Sequence, residues 1–365
     1  MDPVESALRV RPGCPPPEPP RDPMARASRR PVSPEQYVEG ILAGKRAILA
    51  QAITLIESSR PADRELAERI VEDCLPHSGN SIRVGITGVP GAGKSSVIEV
   101  LGTFLISEHA EKVAVLAVDP SSQISGGSIL GDKTRMTSLA SSEMAFIRPS
   151  PSRGSLGGVA QRTREAMLLC EAAGYRNILV ETLGVGQSET AVHDMVDFFL
   201  LILLAGAGDE LQGMKRGVME LADIAVINKA DGDNLIPAER ARIQAQNALH
   251  YLPPSPSGWT PRALCCSAKT GKGIAELWSA VLDYTGLTQD NGWFARTRRD
   301  QTHQWMHEII QQGLRDRFES HPAIRRRIEA LERDVLDGRT TSFRAARTLL
   351  DLYADPQQQD PPSSP

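Results

Sequence analysis

Six short apolar runs, separated by segments with helical patterning, dominate the central part of the chain. Each run is continuously apolar instead of alternating, which is typical of strands buried on both faces of a parallel sheet. Strands that alternate with helices predict a doubly wound α/β fold with a mostly parallel sheet, whose ligands bind at the carboxyl ends of the strands. The predicted strands are Ile82–Ile86, Val113–Val118, Ile178–Val180, Phe198–Leu204, Ile224–Ile227 and Ala263–Cys266.

Helical patterns flank this core on both sides. On the amino side, the apolar positions within Ile41–Ile56 predict one helix, and those within Ala62–Leu75 predict a second. On the carboxyl side we expect three helices rich in Arg and Glu, at Glu308–His321, Pro322–Leu336 and Ser342–Leu352.

The two ends of the chain have a different composition. Residues 1–33 are dense in Pro and Arg, and residues 355–365 in Pro, Gln and Ser. Such segments bury too little apolar surface to fold, so we expect both to be disordered. The predicted organisation is a disordered segment at 1–33, N-terminal helices at 34–80, a central α/β domain at 81–288, a C-terminal helical extension at 289–354 and a tail at 355–365.

Composition and charge exclude several classes of protein. Of 365 residues, 41% are hydrophobic and 24% are charged, and the formal net charge of −4 gives no electrostatic basis for binding nucleic acid or an anionic membrane. The five cysteines show no CxxC spacing, which favours reduced thiols. The longest apolar run, Phe198–Leu204, is too short to cross a bilayer, and no secretory signal is recognisable. We therefore expect a cytoplasmic protein.

The most specific motif is Gly88-Val-Pro-Gly-Ala-Gly-Lys-Ser95, which lies between the first predicted strand and a helical segment. This context is that of a P-loop, in which backbone N–H groups and the positive end of the helix surround a polyphosphate. Lys94 would reach the β- and γ-phosphates, and the Ser95 hydroxyl would hold Mg²⁺. The expected nucleotide contacts in this segment are Gly88, Gly91, Ala92, Gly93, Lys94, Ser95 and Ser96.

A second motif, Asn228-Lys-Ala-Asp231, follows a predicted strand and fits the NKxD pattern of GTPases. The Asp231 carboxylate can accept both N1–H and the N2 amine of guanine, a pair that adenine lacks. Asn228 would tie the loop and touch the base edge, and the Lys229 stem would lie along the ring. A solvated turn at the strand end would also suit these residue types. With the Ser-Ala-Lys triplet after the next strand, the guanine-reading set becomes Asn228, Lys229, Asp231, Ser267, Ala268 and Lys269.

Three carboxylates lie between the two motifs. Asp119 and Glu181 each follow or end a predicted strand, and Asp132 lies in a glycine-rich stretch. Because a P-loop metal takes a loop hydroxyl and carboxylates from neighbouring strand ends, these three residues are candidate Mg²⁺ ligands, held directly or through water. For any one of them, a helix cap or a solvated turn is the alternative. Gly184 would turn its backbone N–H toward the γ-phosphate.

These segments together resemble one family, the MeaB or ArgK family of methylmalonyl-CoA mutase-associated GTPases. The resemblance runs from about residue 36 to 352, and one small departure is Leu183, where the family pattern usually has Val. Its motifs here are Gly88–Ser95, Val118–Ser122, Gly126–Met136, Arg148–Gly154 and Val180–Glu189.

The resemblance implies a P-loop GTPase with a G domain that serves an adenosylcobalamin-dependent acyl-CoA mutase as a chaperone. GTP binding and hydrolysis would gate cofactor loading and protect the mutase, with methylmalonyl-CoA mutase the favoured client. It also implies a homodimer formed through the C-terminal helices. By position, Lys94 and Ser95 hold phosphate and Mg²⁺, and the metal and catalytic carboxylates are Asp119, Asp132 and Glu181.

Two other functions remain open at this point. A metallochaperone GTPase that inserts nickel would need a thiolate or imidazole cluster, and the sequence has neither a CxxC nor a His-rich tract. An ArgK-type kinase of a transport system would phosphorylate an acceptor, and the guanine motif at Asn228–Asp231 argues against an ATP-dependent kinase.

Overall fold

The computed structural model describes residues 32–58, 60–118, 136–149, 156–182, 188–206 and 216–354. The strands in these ranges are β1 (Ile82–Gly88), β2 (Val113–Val118), β3 (Ala145–Arg148), β4 (Asn177–Thr182), β5 (Phe198–Leu204), β6 (Ile224–Asn228) and β7 (Arg262–Cys265). They form a seven-stranded sheet in the order β3-β2-β4-β1-β5-β6-β7, and every pairing is parallel. The predicted parallel α/β sheet is confirmed.

Strand β1 lies at the point where the sheet changes its direction of growth. It pairs with β4 on one side and with β5 on the other, so that β2–β4 extend one half of the sheet and β5–β7 the other. In doubly wound sheets a crevice opens at the carboxyl ends of the strands at such a point. A ligand site is therefore expected at the carboxyl end of β1.

Helices precede, connect and follow the strands. They are α1 (Pro34–Leu42), α2 (Arg46–Ile56), α3 (Pro61–Cys74), α4 (Lys94–His109), α5 (Thr137–Ser141), α6 (Leu156–Ala172), α7 (Ser188–His193), α8 (Arg216–Glu220), α9 (Leu235–His250), α10 (Ile274–Asp290), α11 (Trp293–Ser320), α12 (Pro322–Leu336) and α13 (Ser342–Ala354). Among these helices, none has the length and apolar character needed to span a bilayer.

Apolar helix faces cover both sides of the sheet. Helices α4 and α10 bury residues such as Leu101 and Leu277 against one face. The amino-terminal helices and α6 bury residues such as Ile53 and Met167 against the other. Helix α9 adds a small alanine-rich contact with β5–β7, which includes Ala245. Because both faces are covered, the strands need to be apolar throughout, which explains their continuous pattern.

The structure differs from the predicted elements at three places. The single helix expected over Ile41–Ile56 is wrong: α1 and α2 are separate because Gly44 adopts a left-handed conformation with φ of 68°. Strand β3 is missing from the prediction, since four residues give no recognisable period. Helix α11 begins at Trp293 instead of near Glu308, because its first half is mostly polar and shows no apolar stripe. Of the residues expected to be disordered, 1–31 and 355–365 lie outside the described residues. The expected boundary at residue 33 is wrong, because Ser33 caps the first turn of α1 through Gln36.

Two ion pairs, one buried and one partly buried, attach helices to the amino edge of the sheet. Arg83 on β1 pairs with Glu171 on α6, with Nε and Oε1 2.8 Å apart. Arg298 on α11 donates to both carboxylate oxygens of Asp197, each at 2.7 Å. Asp197 also accepts the backbone N–H of Arg83 at 2.8 Å. The long helix α11 is therefore fixed to β1 and to the start of β5.

Candidate functional site

The predicted phosphate loop connects β1 to α4 and requires glycine at three positions. Gly88 (φ 153°), Gly91 (φ 80°) and Gly93 (φ 86°) all have backbone conformations that other residues rarely adopt. At Gly88 a Cβ atom would lie 2.2 Å from the carbonyl oxygen of Ile202 on β5, so β5 also excludes a side chain. At Gly91 no heavy atom lies within 4 Å of the place where a Cβ atom would be, so only the backbone conformation favours glycine there.

Lys94 is the first residue of α4 and folds back over the loop. Its Nζ donates to the carbonyl oxygen of Gly88 at 2.8 Å and lies 3.3 Å from that of Val89. Burial lowers the pKa of Lys94, while the negative charges of Glu181 and Glu189 raise it again in part. A buried ammonium group held by carbonyl oxygens at the mouth of an open loop is well suited to an anionic ligand.

Ser95 and Glu181 meet beside this loop. The Ser95 hydroxyl donates to Glu181 Oε1 at 2.9 Å, and Glu181 on β4 is only 4% exposed. Glu181 is in register with Ile86 on β1, two residues before Gly88, which explains why the carboxylate reaches the start of α4. The next residue, Thr182, donates to the Thr87 hydroxyl at 2.8 Å and binds the two strand ends together.

Glu189 is a further acidic residue near the loop that the sequence analysis does not single out. It lies on α7, is 4% exposed, and its charge acts on Lys94. It belongs to the segment Val180–Glu189 that carries the family resemblance, so a signal was present in the sequence. No spacing rule, however, relates this position to the P-loop lysine.

Asn228 joins the phosphate loop to both predicted base loops. Its side chain is 1% exposed. The amide Nδ2 donates to the carbonyl oxygen of Ala92 at 2.8 Å, and Oδ1 accepts the backbone N–H of Ala268 at 3.2 Å. Gly93 makes room for this amide, because a Cβ atom there would lie 2.6 Å from Asn228 Nδ2.

Asp231 and Ser267 form the second contact between the base loops. The Ser267 hydroxyl donates to Asp231 Oδ2 at 2.5 Å and accepts the backbone N–H of Thr270 at 3.2 Å. Ser267 is fully buried and Asp231 is partly exposed, so the carboxylate is held from behind while part of it faces outward. Lys229 and Lys269 are exposed at the same edge.

Several predicted site residues do not take part in the contacts around the phosphate and base loops. Asp119, Asp132 and Gly184 fall outside the described residues. Ser96 is described and is exposed on the first turn of α4. In the described part of the chain, no three His, Cys, Asp or Glu side chains form a group suited to a metal ion. Of the candidate Mg²⁺ ligands, the structure therefore brings together Ser95 and Glu181.

A parallel sheet that places a P-loop and an Asn-Lys-x-Asp loop side by side at its carboxyl edge has the architecture of a P-loop GTPase, and comparison with known proteins agrees that this chain is a GTPase. The family can also be named. The chain belongs to the methylmalonyl-CoA mutase-associated GTPases, MeaB, whose sequence profile matches residues 49–323.

Individual relatives support the same assignment. The chain is 51% identical to GTPase ArgK of Escherichia coli (strain K12), over 74% of this chain and 82% of that protein. It is 46% identical to the methylmalonic aciduria type A homolog, mitochondrial, of Mus musculus, over 87% of this chain and 79% of that protein. A solved structure of LAO/AO transport system kinase matches with a TM-score of 0.70 and 38% identity, covering 88% of this chain and 98% of that one. The predicted family and fold class are confirmed.

Proposed function

We propose that this GTPase is a chaperone that gates adenosylcobalamin loading and protects an adenosylcobalamin-dependent acyl-CoA mutase, with methylmalonyl-CoA mutase as the favoured client. The family name supports a mutase partner. The observation that carries the proposal is the 2.9 Å contact between Ser95 and Glu181. It links the phosphate loop to β4, which ends shortly before the segment Gly184–Glu189. We propose this segment as a switch, so a change at the phosphates has a direct route to it.

The phosphate end of the site would work through Lys94 and the loop glycines. Lys94 Nζ now donates to carbonyl oxygens of the loop, and a γ-phosphate would accept those hydrogen bonds instead. The Ser95 hydroxyl and the Glu181 carboxylate are the hard oxygen ligands that Mg²⁺ prefers, so these residues fit a magnesium ion. When bound, Mg²⁺ would offset the negative charge of the β- and γ-phosphates. Asp119 and Asp132 are proposed to complete the metal and catalytic carboxylate set, and the Gly184 N–H to approach the γ-phosphate.

The base end of the site would select guanine. Asp231 would accept both N1–H and the N2 amine, and the hydrogen bond from Ser267 keeps its carboxylate in place. Lys229 and Lys269 would lie along the two faces of the base. Asn228 would contribute mainly by holding the loops together, because both of its polar atoms already have partners in the protein.

The C-terminal helices are proposed to form a homodimer. Leu336 on α12 is 85% exposed and Phe343 at the start of α13 is 87% exposed. We propose that these two exposed apolar side chains lie on a surface that another protein covers. A second copy of the chain is the proposed occupant, in line with the family resemblance, and the cytoplasm is the proposed location.

The chaperone proposal is tested by GTP hydrolysis with and without the client. Because no arginine of the chain is assigned to the γ-phosphate, we expect slow hydrolysis by the protein alone and at least a tenfold higher kcat when methylmalonyl-CoA mutase is added. Lys94→Ala gives the background rate, and a different adenosylcobalamin-dependent acyl-CoA mutase serves as the comparison client.

Three outcomes can be distinguished in this experiment. Stimulation by methylmalonyl-CoA mutase alone supports the proposal as stated. Stimulation only by the comparison enzyme replaces the favoured client and keeps the chaperone role. An unchanged rate with both mutases, together with unchanged cofactor transfer in GTP and GDP, would overturn the chaperone role.

A further inference from the structure

A large cleft lies at the amino edge of the sheet, opposite to the nucleotide site. It has a volume of about 660 Å³ and is bounded by the starts of β5 and β6, the loop before β7 and one face of α11. Strand β5 separates the two edges, and its seven residues span roughly 20 Å at about 3.3 Å per residue. A ligand in this cleft therefore could not take part in the reaction at the γ-phosphate.

The charged side chains that line the cleft are almost all acidic. Apart from Asp197, which pairs with Arg298, the lining includes Asp194, Glu220, Asp223 and Asp300, with His193 and no lysine or arginine among the described lining residues. His193 Nδ1 lies 3.1 Å from Asp194 Oδ1, and Glu220 also interacts with another group. The carboxylates of Asp223 and Asp300 in the same lining favour a positively charged ligand.

Gln301 provides an independent sign that a ligand is missing. This residue of α11 lines the cleft and is 7% exposed. Its Nε2 donates to the carbonyl oxygen of Val196 at 2.8 Å, whereas its buried Oε1 has no hydrogen-bond partner. A buried amide oxygen without a donor is costly, so it calls for a ligand that donates hydrogen bonds.

Asp223 is a carboxylate that lines the same cleft as Gln301. It precedes β6 and is half-buried, and its Oδ2 accepts the backbone N–H of Phe199 at 2.8 Å. Burial raises the pKa of Asp223 to about 7, although the Phe199 N–H and the charge of His193 act in the opposite direction. A cationic ligand in the cleft would favour the charged form of this carboxylate.

The cleft also has an aromatic side. Tyr284 and Trp293 line it together with four prolines of the loop before β7. A planar cation could stack on these rings while it donates to Gln301 and Asp223. A guanidinium group is planar, permanently charged and carries several N–H donors in a fixed arrangement. An ammonium group is not planar.

We propose that this cleft binds a guanidinium group, which Asp223 and Gln301 accept through hydrogen bonds and Trp293 covers. The group could belong to an arginine side chain of a peptide or to free arginine, and the acidic lining disfavours the free amino acid because of its carboxylate. This site is separate from the nucleotide site and does not depend on the chaperone role.

Calorimetry at pH 8 with the full-length protein tests this site. The probe is N-acetylarginine amide, and its control is N-acetylcitrulline amide, which has almost the same shape without the charge. We expect the arginine compound to bind at least tenfold more tightly than the citrulline compound, and free L-arginine to bind more weakly than the amide. Equal binding of the two amides, or no saturable binding of either, overturns the proposal. Tighter binding of free L-arginine would assign the cleft to a small molecule instead of a peptide.

Variants connect binding to the named residues. Asp223→Asn keeps an oxygen for the Phe199 N–H and should weaken binding of the arginine amide about tenfold. Asp300 also lines the cleft and is exposed on α11. Asp300→Asn therefore provides a second test of the acidic lining if Asp223→Asn fails to fold. Glu276→Gln removes an exposed carboxylate of α10 outside the cleft and should change nothing. Equal losses in all three variants would indicate nonspecific attraction and contradict the site.

Discussion

At the scale of single residues, Asn228 shows what a motif can and cannot reveal. The Asn-Lys-x-Asp pattern predicts that Asn228 ties its loop, and in the structure its side chain reaches Ala92 in the P-loop and Ala268 in the second base loop. The pattern could not show that both polar atoms would be engaged in this way. That depends on Gly93, whose missing side chain leaves room for the amide. Motif spacing thus gives the residue, and packing decides its partners.

Replacing Gly93 by alanine should loosen this connection. The new Cβ atom would meet Asn228 Nδ2 at 2.6 Å, and a left-handed conformation costs a non-glycine residue about 1–2 kcal/mol. We expect Gly93→Ala to lower the free energy of unfolding by about 3 kcal/mol, measured by denaturant titration without nucleotide. Gly91→Ala is the matched control, because it has a similar φ and open space around it, and it should lose only about 1–2 kcal/mol. Equal losses in both variants would contradict a role for the Asn228 contact.

Changing Asp231 to asparagine should change which base is bound. The amide can donate to the O2 atom of xanthine but cannot accept the two guanine donors as a carboxylate does. We expect Asp231→Asn to weaken GDP binding at least tenfold and to favour XDP, measured by competition with a fluorescent nucleotide. Asp233→Asn, two residues further on and exposed, should leave the preference unchanged. Retained guanine preference in Asp231→Asn would remove that residue from base recognition.

At the scale of elements, the sequence predicts helices and strands that have a regular apolar pattern, and it misses features that depend on contacts between distant segments. Continuous apolar runs identify β1, β2 and β5 because strands covered on both faces have no polar side. Strand β3 is missed because it has only four residues at the sheet edge and ends in Arg148, which pairs with Glu57 just after α2. Lys94, Ser95 and Glu181 follow from motifs, whereas Glu189 comes near Lys94 only through the position of α7. The amino-edge cleft is formed by segments that are distant in the sequence, so no local pattern predicts it.

The attachment of α6 to β1 should depend on pH. Burial alone would raise the pKa of Glu171, but the charge of Arg83 and hydrogen bonds from Arg83, Ser81 and Gly79 lower it below the usual value. A lowered pKa stabilises the folded chain above the unfolded-state value of about 4.5, and this contribution is lost as the pH falls through the folded-state pKa. Glu171→Gln should therefore cost about 3 kcal/mol of unfolding free energy at pH 7, since it leaves the Arg83 charge buried without its partner.

Denaturant titrations at several pH values would measure that difference. The gap between the wild-type protein and Glu171→Gln should narrow as the pH falls below about 4.5. Asp283→Asn breaks the exposed pair with Arg262 and should cost less than about 0.5 kcal/mol at any pH. A gap of the same size at pH 7 and at a pH below the folded-state pKa of Glu171 would show that charge is not what Glu171 contributes.

At the scale of the whole molecule, the sheet separates two kinds of surface. The carboxyl edge carries the phosphate and base loops, and the amino edge carries the ion pairs that hold α6 and α11. Helix α11 continues from the anchor at Arg298 to α12 and α13, whose outward apolar residues have no cover within the described chain. Nucleotide chemistry and assembly are therefore assigned to different parts of the fold and should respond separately to substitution.

Charges placed on the α12–α13 surface should separate the subunits. We expect Leu336→Asp combined with Phe343→Asp to convert a dimer to a monomer, because two carboxylates would have to be desolvated in the interface. Sedimentation would report the mass, and GDP affinity should remain within about twofold. Arg344→Asp, an exposed polar position on the same helix, should stay dimeric. A wild-type protein that sediments as a monomer would contradict the proposed homodimer itself.

The hydrogen bonds of Asn228 also limit how this protein can diverge. One amide side chain supports both the phosphate loop and the base loop. A substitution at that position would therefore impair phosphate binding and base recognition together. Asp231 and Ser267 contact each other and not the P-loop among the hydrogen bonds described here. Natural selection can therefore alter the preferred base through those two residues while the polyphosphate cradle stays intact.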